Sequence, residues 1–280
     1  MILIADSGST KTSWMEVQSG RKVVTEGLNP HFTDDERFMA VCADVRRIME
    51  ASFGPQRALT IHFYGAGCGS ETQAARVAQL ISAAFATKRV HVETDMLGAC
   101  RAVCGKREGI VGILGTGSNA CYYDGYEIML QATSLGYILG DQGSANYVGR
   151  RLLQDYLIHC MPEFIEKQFS KAYPLSNEEF LDAVYHQPNP NRFLASLGRF
   201  AAERIDYTYC NEIIMESLNR WYGFQLIDFH IGHDFQDLYV VGGFAASIEP
   251  LLKRFANDHE ITLRRVVADP IDGLRRFHRG

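Results

Sequence analysis

Two segments of the chain share one pattern, in which a loop rich in Gly, Ser and Thr separates two apolar runs. Residues 2–17 carry the first copy, and residues 112–123 align with it at an offset of 109 positions, which brings Gly117 under Gly8. Each copy predicts a strand, a tight loop and a second strand. Because the same hairpin occurs twice, we expect the chain to form two domains of similar construction.

Both loops contain the residue types that bind phosphate. Glycine lets a backbone approach an anion closely, consecutive amides can point at its oxygens, and Ser and Thr hydroxyls add further donors. Ordinary hairpin turns also favour Gly and Ser for steric reasons, so one loop alone supports either interpretation. The repeat favours phosphate, since two such loops facing each other would hold one polyphosphate.

Length and composition limit the classes of protein that the chain can represent. Its 280 residues suit two domains, and we predict lobes at 1–107 and 108–280, with the boundary between a helix and the second hairpin. A net charge of -5 without a dense Lys/Arg tract argues against a nucleic-acid partner, and Arg264, Arg265, Arg275 and Arg276 are predicted to be solvated. No apolar run is long enough to span a bilayer and no signal-peptide pattern precedes the first strand. We therefore expect a cytoplasmic protein without a membrane partner.

Strands alternate with helices along the first half of the chain. Apolar spacing predicts helices over 34–53, 71–86 and 97–103, and strands over 59–64 and 90–94. This alternation predicts a largely parallel core sheet.

Helices dominate the second half. Residues 147–229 have helical spacing, broken at 188–191, where Pro and Asn predict a turn. A strand over 238–241 and a helix over 248–258 follow. His230 lies in a polar stretch that we predict to be a surface loop.

Three features together carry a resemblance to a known family: the two loops, Asp95 directly after a predicted strand, and Gly242-Gly243 after another. With them the chain resembles the superfamily of sugar kinases, heat-shock chaperones and actin, and most closely its N-acetylglucosamine kinase branch. The resemblance covers nearly the full length, and residues 115–119 and 140–145 carry its most specific motifs. It implies an α/β fold of two ribonuclease-H-like (actin-like ATPase) domains that flank an ATP cleft.

The resemblance implies ATP and Mg²⁺ as cofactors and a sugar as the substrate. Its implied cofactor-binding residues lie in the loops and the glycine turn, at Asp6, Ser9, Thr10, Lys11, Gly115, Thr116, Gly117, Ser118, Gly242, Gly243 and Phe244. Asp6 would also face the metal, since magnesium prefers oxygen ligands and keeps several waters. Asp95 would be the general base that accepts the proton of the attacking hydroxyl. The implied sugar contacts are Asn29, Asn119, Gly136 and Asp141.

Structural roles compete with three of these assignments. A carboxylate between a strand and a helix, such as Asp95, also suits a helix N-cap, and so does Asp141 before a predicted helix. Asn29 beside a proline also suits a turn. For Asp95 the two roles can coexist.

The chain departs from the family at positions that bear on phosphate and sugar recognition. Ser7 and Ser9 stand where the family often has glycine, which we expect to alter phosphate-loop contacts without removing them. Leu135 replaces a common aromatic residue beside the sugar, and Gln142 replaces a common acidic residue. The first choice of substrate is an N-acetylated amino sugar, phosphorylated at the 6-position that the resemblance suggests. Free glucosamine and other hexoses are the alternatives.

The same superfamily includes a different class, the ATPase activators of benzoyl-CoA reductase and 2-hydroxyacyl-CoA dehydratase. Such an activator bridges a dimer with an iron–sulfur cluster, which needs cysteines in glycine-rich motifs. The chain has seven cysteines and no C-x-x-C pair, and neither Cys121 nor Cys160 lies in the expected motif. A nucleotide-binding regulator is a third interpretation, but a regulator needs no base such as Asp95. Under the kinase interpretation the helical stretch can carry a homodimer surface.

Overall fold

A computed structural model describes residues 1–55 and 58–280 of the chain. The chain divides into two compact units. The first comprises Met1–Arg107, Gly125–Glu127 and Asp269–Gly280, and the second comprises Glu108–Asp124 and Ile128–Ala268. The second unit therefore differs from the predicted lobe 108–280 mainly at its end, where Asp269–Gly280 belongs to the first unit. Across the described part of the chain, every helix is too short or too polar to cross a bilayer.

The first unit contains a five-stranded mixed sheet of order β3-β2-β1-β4-β5. Its strands are β1 (Ile2–Ser7), β2 (Lys11–Glu16), β3 (Lys22–Glu26), β4 (Thr60–Gly65) and β5 (Arg89–Thr94). β1, β2 and β3 form an antiparallel meander, whereas β1, β4 and β5 are parallel. The first predicted hairpin is thus β1–β2, and the parallel part is built by the predicted strands at 59–64 and 90–94.

Helices cover both faces of this sheet. They are α1 (Asp35–Phe53), α2 (Glu71–Phe85), α3 (Asp95–Val103) and α12 (Ile271–Arg279). Phe63 of β4 faces α1, where its ring centroid lies 5.9 Å from that of Phe38. Its neighbour Tyr64 faces the other side and donates or accepts a 2.9 Å hydrogen bond with His278 of α12. Successive strand residues point to opposite faces, so one strand anchors both helical layers.

The second unit repeats the same strand plan, with the order β10-β9-β6-β7-β8. Its strands are β6 (Gly109–Leu114), β7 (Ser118–Tyr123), β8 (Ile128–Gln131), β9 (Asp237–Val241) and β10 (Thr262–Val267). β6, β7 and β8 are antiparallel, and β6, β9 and β10 are parallel. Each unit therefore begins with a meander and continues with two parallel strands, which confirms the two similar domains predicted from the repeated hairpin.

Eight α-helices belong to the described part of the second unit. They are α4 (Gly136–Leu139), α5 (Ala145–Leu157), α6 (Glu163–Ala172), α7 (Asn177–Tyr185), α8 (Pro190–Ala202), α9 (Thr208–Trp221), α10 (Gly243–Ser247) and α11 (Glu249–Asp258). The predicted break at 188–191 is confirmed, because α8 begins at Pro190, with Asn189 in a left-handed conformation before it. Proline suits the first helical position, where its missing N–H costs no helical hydrogen bond.

α5 and α8 approach each other unusually closely. A Cβ atom on Gly149 would lie 1.8 Å from the Leu194 carbonyl oxygen, and one on Gly198 would lie 2.0 Å from that of Ala145. Only glycine permits this backbone contact. The contact fixes the position of Ala145, the first residue of α5, which adjoins the second glycine loop.

After Trp221 the helix continues as two π-helical turns, Tyr222–Leu226 and Asp228–Gly232. His230 lies in the second turn and is only 4% exposed. Its ring nitrogens are hydrogen-bonded to the Tyr222 hydroxyl at 3.1 Å and to Gln236 Oε1 at 3.1 Å. The prediction of a surface loop at His230 is wrong, because both polar atoms of the ring find partners inside the unit.

Candidate active site

Three parallel strands of the first unit end at the same edge of the sheet. Ser7, Gly65 and Thr94, the last residues of β1, β4 and β5, lie in register across the sheet. Asp6 directly precedes Ser7 in β1, and Asp95 directly follows Thr94, the last residue of β5. The carboxyl edge of a parallel sheet is where α/β folds bind ligands, and here it carries two carboxylates.

The two carboxylates are half-buried, and the charge of Asp95 acts on Asp6. Burial, followed by the negative charges of Asp269 and Asp95, raises the pKa of Asp6 to about 8. Burial raises the pKa of Asp95 to about 6, against the lowering effect of the Met96 amide. A cation beside these groups would relieve both the burial cost and the repulsion between the charges.

This donor set fits magnesium that arrives with a phosphate ligand. Among residues 1–55 and 58–280, no group of three or more His, Cys, Asp or Glu side chains could enclose a metal. Magnesium does not require such a cage, because it is usually held by one or two carboxylates together with phosphate oxygens and water. Asp6, with Asp95 nearby, offers this arrangement.

Asp95 is the first residue of α3, and the residue before it caps the helix. Thr94 Oγ1 accepts a 3.1 Å hydrogen bond from the Leu97 amide, while Asp95 Oδ1 accepts one of 2.9 Å from Met96. The capping function considered for Asp95 therefore belongs chiefly to Thr94. The Met96 amide orients the Asp95 carboxyl group at the sheet edge.

The first hairpin loop is a tight turn closed by the hydrogen bond from the Gly8 amide to the Lys11 carbonyl, at 3.0 Å. Gly27 lies against this turn, since a Cβ atom there would be 2.4 Å from the Gly8 oxygen. Ser7 is fully buried, and its hydroxyl contacts Thr12 Oγ1 at 2.7 Å and the Leu28 amide at 3.0 Å. Ser7 thus supports the turn from within the unit.

Ser9 and Thr10 form the tip of this turn; Ser9 is half-buried, and Thr10 is exposed, as is Lys11 directly after it. The Lys11 ammonium group donates a 2.9 Å hydrogen bond to Asp269 Oδ2. Asp269 was not among the residues that the sequence analysis selected.

Asn29 follows the segment that Ser7 fixes, and it is 6% exposed. Its Oδ1 atom accepts a 3.0 Å hydrogen bond from the His31 amide, which is the turn geometry considered in the sequence analysis. Gly67 packs on the same oxygen, because a Cβ atom there would lie 2.5 Å away. The side chain is rigidly placed near the end of β4, and its contact with a sugar stays a prediction.

The second hairpin loop is bonded to the start of α5. The Gly115 amide donates to the Gly117 carbonyl at 3.0 Å, which closes the turn. The Gly115 and Thr116 carbonyls accept hydrogen bonds from the amides of Ala145 at 3.0 Å and Asn146 at 3.1 Å. The loop and the helix N-terminus therefore form one rigid element.

Asp141 lies against this loop and is 8% exposed. Its Oδ1 atom accepts a 3.1 Å hydrogen bond from the Ser118 amide, and its Oδ2 atom accepts one of 2.7 Å from Asn146 Nδ2. A Cβ atom on Gly117 would lie 2.8 Å from Asp141 Oδ2, so the carboxylate occupies the space that glycine leaves. Burial raises the pKa of Asp141, and the Asn146 hydrogen bond opposes this.

The N-cap of α5 is Ser144, whose Oγ atom accepts a 3.3 Å hydrogen bond from the Tyr147 amide. The capping function considered for Asp141 therefore belongs to Ser144, and Asp141 instead joins the loop to Asn146. Asn146 is 1% exposed and was missed by the sequence analysis. A buried amide five residues after an aspartate has no signature in a sequence.

Buried polar groups linked by hydrogen bonds support the second hairpin loop. Ser118 Oγ donates to the Gln142 carbonyl at 2.7 Å and accepts from Gln225 Nε2 at 3.2 Å. Gln225 Oε1 in turn accepts a 3.2 Å hydrogen bond from Trp221 Nε1. Gln225 lies in the first π-helical turn, so this irregular segment supports the candidate phosphate loop.

The glycine turn after β9 touches the second loop directly. Gly242 has φ 136°, and a Cβ atom there would lie 2.1 Å from the Leu114 carbonyl oxygen. Gly243 is exposed, whereas Phe244 is 7% exposed and belongs to the hydrophobic core of the unit. The Phe244 side chain is thus a core side chain, and only the main chain of this turn is at the surface.

The remaining predicted substrate residues lie in the second unit. Asn119 is half-buried in β7, and its Oδ1 atom accepts a 2.9 Å hydrogen bond from the Ala120 amide. Gly136 begins α4 with φ 70° and is exposed, as is Leu135 before it. These positions are more exposed than Asp141.

Comparisons with known proteins agree with this architecture. The chain is 35% identical to the "Putative N-acetylglucosamine Kinase" of Porphyromonas gingivalis, with 99% of this chain and 98% of that chain covered and a TM-score of 0.91. A protein of the same description from Chromobacterium violaceum is 17% identical, with 99% and 98% covered and a TM-score of 0.67. A ROK family glucokinase from Streptomyces griseus, in complex with glucose and AMPPNP, is 18% identical, with 99% and 100% covered and a TM-score of 0.53.

No family model and no curated protein matches the chain. The two five-stranded sheets with one strand plan nevertheless define the actin-like ATPase fold of the sugar kinases, which confirms the predicted fold class. With 35% identity over nearly its full length, the chain belongs to the family of the Porphyromonas gingivalis protein, the N-acetylglucosamine kinase branch of that superfamily.

Proposed function

We propose that this protein is an ATP- and Mg²⁺-dependent sugar kinase that phosphorylates N-acetylglucosamine, with the 6-hydroxyl as acceptor. The observation that carries the proposal is the pair of half-buried carboxylates, Asp6 and Asp95, beside a glycine hairpin at one sheet edge. The description of the 35% identical relative supports the substrate, and the complex of the glucokinase with glucose and AMPPNP supports the reaction class.

Asp95 acts as the general base in this proposal. It accepts the proton of the sugar hydroxyl while the hydroxyl oxygen forms a bond to the γ-phosphorus of ATP. The bond between the γ-phosphorus and the bridging oxygen breaks, and ADP leaves with that oxygen. A carboxylate whose pKa is about 6 is ionised at neutral pH yet more basic than an ordinary aspartate, which suits this task.

We assign contacts with the phosphate groups of ATP to the two hairpin loops, and neutralisation of their negative charge to magnesium. Bound through Asp6, magnesium would neutralise developing charge on the phosphate oxygens. The amides of the first turn, with Lys11, and those of Gly115–Gly117 would face phosphate oxygens. Gly242 and Gly243, as residues without side chains, would admit the nucleotide close to the main chain.

Sugar recognition is assigned to rigid polar groups. Asn29 in the first unit and Asp141 in the second are held by the hydrogen bonds described above, and both retain acceptor capacity for hydroxyl groups. Asn119 and Gly136 complete the proposed contacts. Side chains fixed before binding lose little entropy when the substrate arrives.

The proposal is tested by coupled ADP release from Mg-ATP with N-acetylglucosamine, glucosamine, N-acetylmannosamine, glucose or no sugar. We expect N-acetylglucosamine to stimulate turnover most strongly. Stimulation by another hexose alone would correct the substrate but retain the kinase. ADP release that is equal with and without sugar would contradict the kinase and favour an ATPase of the activator class.

The reaction should depend on pH through Asp95. Because the ionised carboxylate is the active form, kcat/KM for the sugar at saturating Mg-ATP is expected to be constant above neutral pH. It should fall as the pH decreases below neutrality through the pKa of this group, which is about 6 without a cation and lower once magnesium lies beside it. Initial rates between pH 5 and pH 8.5 measure the profile, and the residual activity of Asp95→Asn should lack this limb. An acid limb of the same midpoint in Asp95→Asn would assign the pH dependence to another group.

A further inference from the structure

One oxygen atom of the Asp269 carboxylate accepts hydrogen bonds from side chains of two strands in the first unit. Its Oδ2 atom accepts hydrogen bonds from Lys11 Nζ at 2.9 Å, Lys22 Nζ at 2.9 Å and Ser13 Oγ at 3.0 Å. Its Oδ1 atom accepts the Ile271 amide at 3.1 Å, at the start of α12. The carboxylate therefore sits beside the first hairpin, at the convergence of two ammonium groups and a hydroxyl.

The charges in this cluster favour an anion. Burial acts to raise the pKa of Asp269, but the hydrogen bonds from Lys11 and Lys22 outweigh it and hold the pKa below its usual range. Two cations share one carboxylate, so the group of three has a net positive charge; Asp6, on which all three charges act, is the neighbouring carboxylate that magnesium would neutralise in the proposed site. The Lys11 and Lys22 side chains are 51% and 36% exposed, so both ammonium groups are accessible to a ligand.

We propose that Lys22 binds the terminal phosphates of a nucleoside triphosphate together with Lys11, and that Asp269 occupies the phosphate position until the nucleotide binds. A carboxylate oxygen that receives two ammonium groups and a hydroxyl uses the donor set that a phosphate oxygen prefers. This inference rests on the proposed function, since it takes the first hairpin as a phosphate loop. It adds Lys22 as a binding residue and Asp269 as its internal competitor.

The direction of the Asp269 effect follows from charge. A triphosphate near Lys11 and Lys22 is repelled by a carboxylate beside them, and at short range this repulsion is strong. Asp269 also holds both lysine side chains in place, and losing that order would oppose binding. Because both side chains are partly exposed and keep part of their freedom, the charge effect should be the larger one.

Isothermal titration calorimetry of the full chain with Mg-ATP and with AMP tests the inference. Lys22→Gln should weaken ATP binding about 10- to 100-fold, the effect of one charge-assisted hydrogen bond, and leave AMP binding unchanged. Asp269→Asn keeps an oxygen for the Ile271 amide and should tighten ATP binding about two- to fivefold, the strength of an exposed ion pair. Lys88→Gln, at an exposed position of the same unit, is the control.

Opposite signs for the two variants distinguish a phosphate position from an ordinary salt bridge. A structural ion pair would give shifts of the same sign from either side, and that result would overturn the inference. Equal loss of ATP and AMP affinity in Lys22→Gln would overturn it as well. If opposite signs are found but no sugar is phosphorylated, the inference about the triphosphate holds and the proposed kinase fails.

Discussion

Replacement of Asp95 by asparagine is expected to lower kcat by about 10²- to 10⁴-fold, the usual contribution of a positioned general base. Asparagine keeps the size of the side chain and an Oδ1 atom for the Met96 amide, but its amide cannot accept the proton of the sugar hydroxyl. Thr94 continues to cap α3 in the variant. The fold should therefore be retained while the chemical step is lost.

Coupled ADP release with N-acetylglucosamine measures this effect, and Mg-ATP affinity shows whether the nucleotide site is intact. Asp44→Asn is a suitable control, because Asp44 is an exposed carboxylate on α1 in the same unit. We expect the control to match the wild type in kcat and in thermal unfolding. A near-normal kcat in Asp95→Asn would show that Asp95 is not the general base.

Elements with strong local signals were predicted closely. The helix predicted over 34–53 is α1, whose first residue follows the cap Asp34, and the helix predicted over 71–86 is α2, capped by Ser70. Periodic apolar residues and a capping side chain both lie within the element itself, so the sequence contains all the information needed. The repeated hairpin was equally local and predicted two similar domains, whereas the fold class came from the family resemblance.

Elements that depend on distant partners were missed. β3 and β8 are edge strands of mixed composition, and β10 contains two arginines. α12 carries a glycine and three arginines, and we predicted Arg275 to be solvated. That prediction is wrong, because Arg275 donates to the Val17 carbonyl at 2.8 Å and to the Gln18 carbonyl at 2.9 Å. Only the folded unit brings these carbonyls to it.

Residues of the candidate site also divide into those with a local sequence signal and those that depend on distant partners. Asp6 and Asp95 were recognised because each lies at the end of a strong strand signal and the family resemblance gives each a role. Lys11 and Asp269 are 258 positions apart, and no local pattern joins them. The contact of Gln225 with Ser118 spans 107 positions and depends on a π-helical turn. Homodimerisation through the helices of the second unit stays a prediction.

Gly242→Ala is expected to destabilise the second unit by about 2 to 6 kcal/mol. Its backbone, at φ 136° and ψ 151°, lies in a region that is essentially restricted to glycine, and this costs an alanine about 1–3 kcal/mol. The new Cβ atom would also lie 2.1 Å from the Leu114 carbonyl oxygen, and relief of such overpacking costs about 1–3 kcal/mol more. Because Leu114 leads directly into Gly115, the strain would fall on the candidate phosphate loop.

Thermal unfolding should therefore show a midpoint lowered by roughly 5–20 °C, and ATP binding should weaken in the folded fraction. The neighbouring Gly243 is a matched control, since a Cβ atom there would meet nothing within 4 Å among the described residues. Gly243→Ala should change the free energy of unfolding by less than about 0.5 kcal/mol. If Gly242→Ala unfolded at the temperature of the control, the close contact between this turn and the end of β6 could not exist in solution. The glycine pair would then be an ordinary strand-to-helix turn.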